Sequence, residues 1–314
     1  MPSSLNRIYN ACNPFLPAPE GFYCDCREAR GGDAFLKNVF KHLMRTDANV
    51  DGENGEKRFR HFLFSGHIGS GKSSELKHLV QKLKESNEQN VTFFPIYIDT
   101  FDYLDVYDVS ITDILLSIVT ELSETLRKEL NIWLKDSYFK TKFEEIKAAA
   151  LTGIEINEGD LDIGIGKIKI QRLKQDPSAR KIVRDALKTR IPTVVQEINL
   201  LFEEARLKVR KKTVGDTSLK YSDIVIIIDN LEKIQKFEET EEGLESYKKL
   251  FIDYYPQLTD LQSHVIFTVP LRLVRSSIAP TLREYYSEPF VLPMIKISQR
   301  ISREPFDKGV ESLK

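Results

Sequence analysis

The residues best suited to chemistry are Gly66-His67-Ile68-Gly69-Ser70-Gly71-Lys72-Ser73, which satisfy the pattern G-x-x-x-x-G-K-[ST] at every required position. Its glycines let the backbone turn tightly, so that successive N–H groups can point inward at phosphate oxygens. The Lys72 ammonium can reach the β- and γ-phosphates of a nucleotide, and the Ser73 hydroxyl can ligate Mg²⁺. Such a loop works only between a strand and a helix. Phe59-Arg60-His61-Phe62-Leu63-Phe64 reads as the strand. Residues 74–83 read as the helix, with apolar residues at Leu76, Leu79, Val80 and Leu83 on one face. The helix N-terminus, at Ser74, adds a dipole that favours the anion. A chance match in a Gly-rich turn would lack both flanks.

A second set of residues lies far down the chain. Ile224-Val225-Ile226-Ile227-Ile228-Asp229 is an apolar strand that ends in an acid. Parallel sheets bind ligands at that end of their strands, and an acid there can complete the Mg²⁺ shell opposite Ser73. Its plainer reading is a carboxylate capping a turn. Glu232 follows and could polarise an attacking water as a general base; equally, it could be an exposed acid. Asn230 is a weaker candidate for orienting that water. Thr268 ends the next apolar strand and could sense the γ-phosphate, or be satisfied locally. Arg272 and Arg275 could contact phosphate or a neighbouring subunit, although surface arginine is the commoner outcome.

The chain has no N-K-x-D-like run for guanine recognition, which favours ATP over GTP. Lys72 and Asp229 are separated by about half of the chain, more than a compact nucleotide-binding core requires. Much of 110–212 therefore reads as an inserted, mainly helical module, of a size suited to regulation or partner binding. This stretch is also basic: Lys167, Lys169, Arg172, Lys174, Arg180, Lys181, Arg184, Lys188 and Arg190 face only Asp176 and Asp185, and Arg206, Lys208, Arg210, Lys211 and Lys212 follow. This surface could be a footprint for a phosphate backbone. Alternatively it is a solvated helix face, or a subunit contact balanced by the acidic run at 238–242. Few aromatics are interleaved, which argues against stacking on single strands.

The elements that must position these residues alternate strand and helix. Residues 1–32 read as an N-terminal arm, and 34–44 carry apolar residues at helical spacing. Val91–Ile98 reads as a strand in which Pro95 implies an edge position or a bulge. A long amphipathic helix is predicted from about Ser110 to Lys128, and residues 130–150 also look helical. Residues 152–170 read as a β-hairpin around Asn157-Glu158-Gly159-Asp160. Helices near 178–188 and 191–211 follow, then strands at 224–229, 264–269 and 290–292. This alternation predicts an α/β fold, a mostly parallel sheet with helices on both faces. The core would span 33–301, leaving 302–314 as the start of a missing lid or further domain.

Composition supports a globular protein. In 314 residues, 41% are apolar, enough for a core. A net charge of −1 gives no global reason for attraction to nucleic acid or membrane. Cys12, Cys24 and Cys26 are too few for a disulfide framework or a zinc site. There is no apolar signal core or membrane-length run, so the simplest reading is a soluble cytoplasmic protein.

Taken together, the loop Gly66–Ser73 with Ser74-Glu75-Leu76, the run Ile226-Ile227-Ile228-Asp229-Asn230-Leu231-Glu232-Lys233 and the segment Ile266-Phe267-Thr268-Val269-Pro270 resemble the signal-transduction and AAA-related P-loop ATPases of bacteria. That group includes the STAND and KAP types and the origin-recognition-like ATPases. The second run is similar to the form D-D-L-D-[RK], with Asn230 and Glu232 in place of two acids. It departs from the adjacent Asp-Glu pair of standard AAA proteins. The resemblance implies an ATP–Mg²⁺ switch that controls assembly, as a homo-oligomer or with an effector protein, in signalling or anti-phage defence. Two other expectations stand beside it: a nucleic-acid loader using the 167–212 surface, and a nucleotide-bound scaffold that does not hydrolyse.

Overall fold

The computed structural model describes residues 23–30, 38–43, 59–85, 91–135, 141, 174–215, 218–234, 244–299 and 302–311. Five strands form one sheet: β1 (His61–Gly66), β2 (Thr92–Asp99), β3 (Tyr221–Asp229), β4 (His264–Thr268) and β5 (Phe290–Leu292). Their order is β2-β3-β4-β1-β5, and every neighbouring pair is parallel. All strand C-termini therefore open on one edge, where β1 delivers the glycine loop and β3 delivers Asp229.

Four helices do most of the covering: α1 (Lys72–Lys84), α2 (Ile111–Leu130), α3 (Pro177–Lys188) and α4 (Ile191–Val209). The period of two in each strand sorts its side chains between two cores. Phe62, Phe64, Val225, Ile227 and Ile266 pack on the α1 side with Leu76, Leu79 and Leu83. Leu63, Ile224, Ile226, Ile228 and Phe267 face the opposite core, with Ile114, Ile118 and Leu122 of α2 and Val194, Ile198 and Phe202 of α4. The continuous apolar runs in the sequence are thus strands buried on both faces. Among the described residues, α2 and α4 pack directly on the sheet, and α3 packs on those two helices.

Pro95 has the place its chemistry requires. Strand β2 is an edge strand, so the missing N–H costs no ladder bond on its open side. Its pairing with β3 also shifts register between Thr92 and Phe93. Two boundaries at the glycine loop differ from the sequence reading. Strand β1 continues through Ser65 to Gly66, because both pair with β5. Helix α1 begins at Lys72 rather than at Ser74, so Lys72 and Ser73 ride on its first turn.

Helix α2 starts at a capping box between Ser110 and Asp113. It stops where Asn131 turns left-handed, at φ 51°, and residues 131–135 are irregular. The helical reading of 130–150 fails at its start for that reason, and most of the rest lies outside the described residues. So do the β-hairpin of 152–170 and the acidic run at 238–242. Among the described residues, no helix is long and apolar enough to cross a membrane.

Five of the described basic residues of 174–212, Arg180, Arg184, Arg206, Lys208 and Arg210, form ion pairs within the chain. Arg180 Nη2 lies 2.9 Å from Asp105 and 3.4 Å from Asp108. Arg184 pairs with Asp108 at 2.7 Å and with Asp113. Arg206 and Arg210 share Asp223, at 2.9 and 3.4 Å, and Lys208 pairs with Glu204 at 2.7 Å. These pairs fasten α3 to the turn after β2, and α4 to the start of β3.

Candidate nucleotide site

The loop between β1 and α1 is shaped by backbone that only glycine adopts freely. Gly69 and Gly71 have φ of 78° and 85°, a region closed to most side chains. Gly71 is also the N-cap of α1. The first helical bond runs from Glu75 N–H to the Gly71 carbonyl at 3.0 Å. The N–H groups before it lack intrahelical acceptors and are the natural donors to an anion. His67, Ile68 and Gly69 form the exposed crest of the loop, and Ser70 is buried beneath it. Ser74 sits half-buried in the first turn of the helix.

Lys72 does not extend into solvent. Its Nζ donates to the carbonyls of Gly66 at 3.3 Å and His67 at 3.2 Å. It also pairs with Glu232 Oε1 at 3.2 Å, and both side chains are only 6% exposed. The other carboxylate oxygen, Glu232 Oε2, is buried without a hydrogen-bond partner. Glu232 therefore lies at the loop's own lysine and is not a solvated acid.

Strand alternation puts Asp229 on the α1 face, two residues beyond Ile227. It is fully buried. Ser73 bonds its carboxylate, Tyr97 Oη donates to its Oδ2 at 2.6 Å, and the Asn230 N–H donates to its Oδ1 at 2.8 Å. Burial raises the Asp229 pKa, and the nearby charge of Glu232 adds to the rise; the three donors pull it back. Asn230, at φ 66°, turns the chain left-handed just after the acid. Its Nδ2 donates to Asp99 Oδ1 at 2.9 Å, while its own Oδ1 is buried and unpartnered.

Thr268 also lies on this face, but its Oγ1 accepts from the Leu231 N–H at 2.9 Å. It pins the turn that carries Asn230 and Glu232. Arg272 lies over the Tyr247 ring, 5.9 Å from its centroid, and Arg275 is exposed beyond it.

Two site residues escaped the sequence reading. Tyr97 looked like one more apolar residue of β2; only the pairing of β2 with β3 brings it to Asp229. Arg30 comes from the N-terminal arm. Its Nη1 donates to the Pro293 carbonyl at 2.8 Å, and its Nε lies 3.8 Å from Glu75 Oε1. A Cβ on Gly71 would come within 3.2 Å of its Nη2. Tyr23 braces the same carboxylate, donating to Glu75 Oε2 at 3.1 Å.

The donor set suits a small, hard cation. Ser73 and Asp229 already touch and offer only oxygen. Those two would hold Mg²⁺, which would neutralise phosphate charge when bound. Among the described residues, no group of three His, Cys, Asp or Glu side chains could hold a metal by itself.

An all-parallel sheet with a glycine loop at its open edge, a buried lysine in that loop and an acid on a nearby strand defines a P-loop NTPase domain. Residues 33–251 match the model of the KAP family P-loop domain, and the chain belongs to that family. Strands β4 and β5, with Thr268, lie beyond the matched span. No curated protein and no solved structure matches the chain.

Proposed function

We propose that this protein is a Mg²⁺-dependent ATPase that works as a regulatory switch. The observation that carries this reading is the pairing of Lys72 with Glu232, next to the Ser73–Asp229 contact. A triphosphate entering the loop competes with Glu232 for the ammonium. Phosphate oxygens replace the carboxylate on Lys72, and Glu232 is released beside the γ-phosphate. There it can accept a proton from water as the general base. Nucleotide occupancy is thereby linked to the position of the Leu231–Lys233 turn, which Thr268 ties to β4. A turn with two arrangements is what a switch requires.

ATP rather than GTP rests on the missing guanine motif. A homo-oligomer or effector partner, and service in signalling or anti-phage defence, rest on the family resemblance alone. The loader reading is weakened because Arg180, Arg184, Arg206, Lys208 and Arg210 are engaged within the chain. One observation favours the scaffold reading. The residue beside Asp229 is Asn230, which cannot take a proton, and Glu232 is held by Lys72.

Steady-state phosphate release separates these readings. Wild type is expected to turn over ATP only with Mg²⁺, and Asp229→Asn to lose at least about a hundredfold in turnover. ATP binding without turnover in wild type, with or without added partner, would leave only the scaffold.

A further inference from the structure

Strand β2 contributes a side chain that neither the loop nor β3 accounts for. Tyr97 and Asp99 lie on the α1 face of the sheet, one pleat apart. In the parallel register Tyr97 faces Ile227 and Asp99 faces Asp229. The tyrosine leans along the strand, so that its hydroxyl meets not its register partner but the acid two residues on. We propose that Tyr97 is a positioning residue for the metal-binding carboxylate of Asp229, holding it turned toward Ser73. The inference rests on the nucleotide–Mg²⁺ reading above and goes beyond it in giving the edge strand a role in metal binding.

The geometry makes the hydroxyl a fixed donor. Its bond to Asp229 Oδ2, at 2.6 Å, is at the short end for O–H···O contacts, as expected of a charged acceptor. The ring packs against the core under α1, and the Lys77 ammonium lies 5.9 Å from its centroid. A phenol carries its proton at neutral pH and a carboxylate only accepts, so the hydroxyl is the donor.

A carboxylate has about four lone-pair sites. The Asn230 N–H takes one on Oδ1 and Tyr97 takes one on Oδ2. A cation entering between Ser73 and Asp229 needs only the Ser73 bond to yield. The other two bonds persist and keep the carboxylate from rotating. Partners of this kind typically change metal affinity ten- to a hundredfold when removed. Asp99 braces the neighbouring residue in the same way, through the Asn230 amide.

Buried tyrosines often bond a polar atom for stability alone, and this molecule supplies a control. Tyr103 donates to Glu121 on α2, away from the loop. The experiment is a titration of a fluorescent ATP analogue at increasing Mg²⁺, using wild type, Tyr97→Phe and Tyr103→Phe. Tyr97→Phe is expected to bind the analogue normally without Mg²⁺ and to need about tenfold more Mg²⁺ for the same tightening. Tyr103→Phe is expected to match wild type. Superimposable Mg²⁺ curves for Tyr97→Phe and wild type would overturn the proposal, as would equal weakening with and without Mg²⁺. Should Tyr97→Phe not fold, Tyr97→Met, which fills the space without a donor, is titrated instead. It is expected to need more Mg²⁺ than wild type, and an unchanged curve overturns the proposal. A wild type that binds no analogue, or binds it without regard to Mg²⁺, refutes the parent reading directly.

Discussion

Two regions bury a basic side chain against carboxylates, and they do so differently. On the outer layer, Arg180 meets Asp105 and Asp108, and Arg184 meets Asp108 and Asp113. Arg180 also donates to the Lys174 carbonyl at 2.8 Å. Burial opposes the charge of Arg184, yet its aspartates outweigh that and raise its pKa. At the loop, Lys72 has a single acid, Glu232, and two backbone carbonyls. Half of that acid is without a hydrogen-bond partner. The first region is a clasp: a planar fork whose two terminal nitrogens are matched to several acceptors, although the buried Arg180 Nε has no hydrogen-bond partner. The second is a point charge with one exchangeable partner, beside helix N–H groups that have no intrahelical acceptor. The same pairing chemistry fastens in one place and waits for a ligand in the other.

Substitution of each cation sharpens that contrast. Lys72→Ala removes the charge that a triphosphate would meet. At about 1.5–3 kcal/mol per charged hydrogen bond, ATP affinity is expected to fall by about a hundredfold. Melting temperature should also fall, since Glu232 is left buried without its cation. Nucleotide binding by calorimetry, with a thermal melt beside it, checks both. Equal ATP affinity in the two proteins would end the site assignment.

The reciprocal change, Arg180→Ala, has the smaller expected effect. It should cost about 1–3 kcal/mol of stability and leave ATP affinity unaltered. The lower end reflects water's access to Asp108, which is 57% exposed. Chemical denaturation measures it; a loss of ATP affinity without a loss of stability would dissolve the distinction between the two regions.

The sequence made part of this legible, for identifiable reasons. The loop is local, so its glycines, lysine and serine could be read without knowing the fold. Asp229 was legible because an apolar run ending in an acid describes a buried strand by itself. Pro95 marked an edge strand because a missing N–H is a property of one residue. Contacts created by sheet order were not legible. Tyr97 reaches Asp229, and Lys72 reaches Glu232, only because β2 pairs with β3 while β4 alone separates β3 from β1. The partners of the basic stretch were not legible for a related reason. Its aspartate partners on the turn after β2 lie far away in sequence, so Arg180 and Arg184 looked like a charged surface.

The central claim is that Lys72 is held by Glu232 until a nucleotide takes it. The most direct test compares ATP affinity, with Mg²⁺ present, in wild type and Glu232→Gln. The glutamine keeps the shape and can still accept a hydrogen bond from Lys72, but it no longer competes with phosphate by charge. The expected result is binding tighter by about tenfold, near 1.4 kcal/mol, because the ion pair no longer has to be broken. Affinity equal to or weaker than wild type would contradict the account.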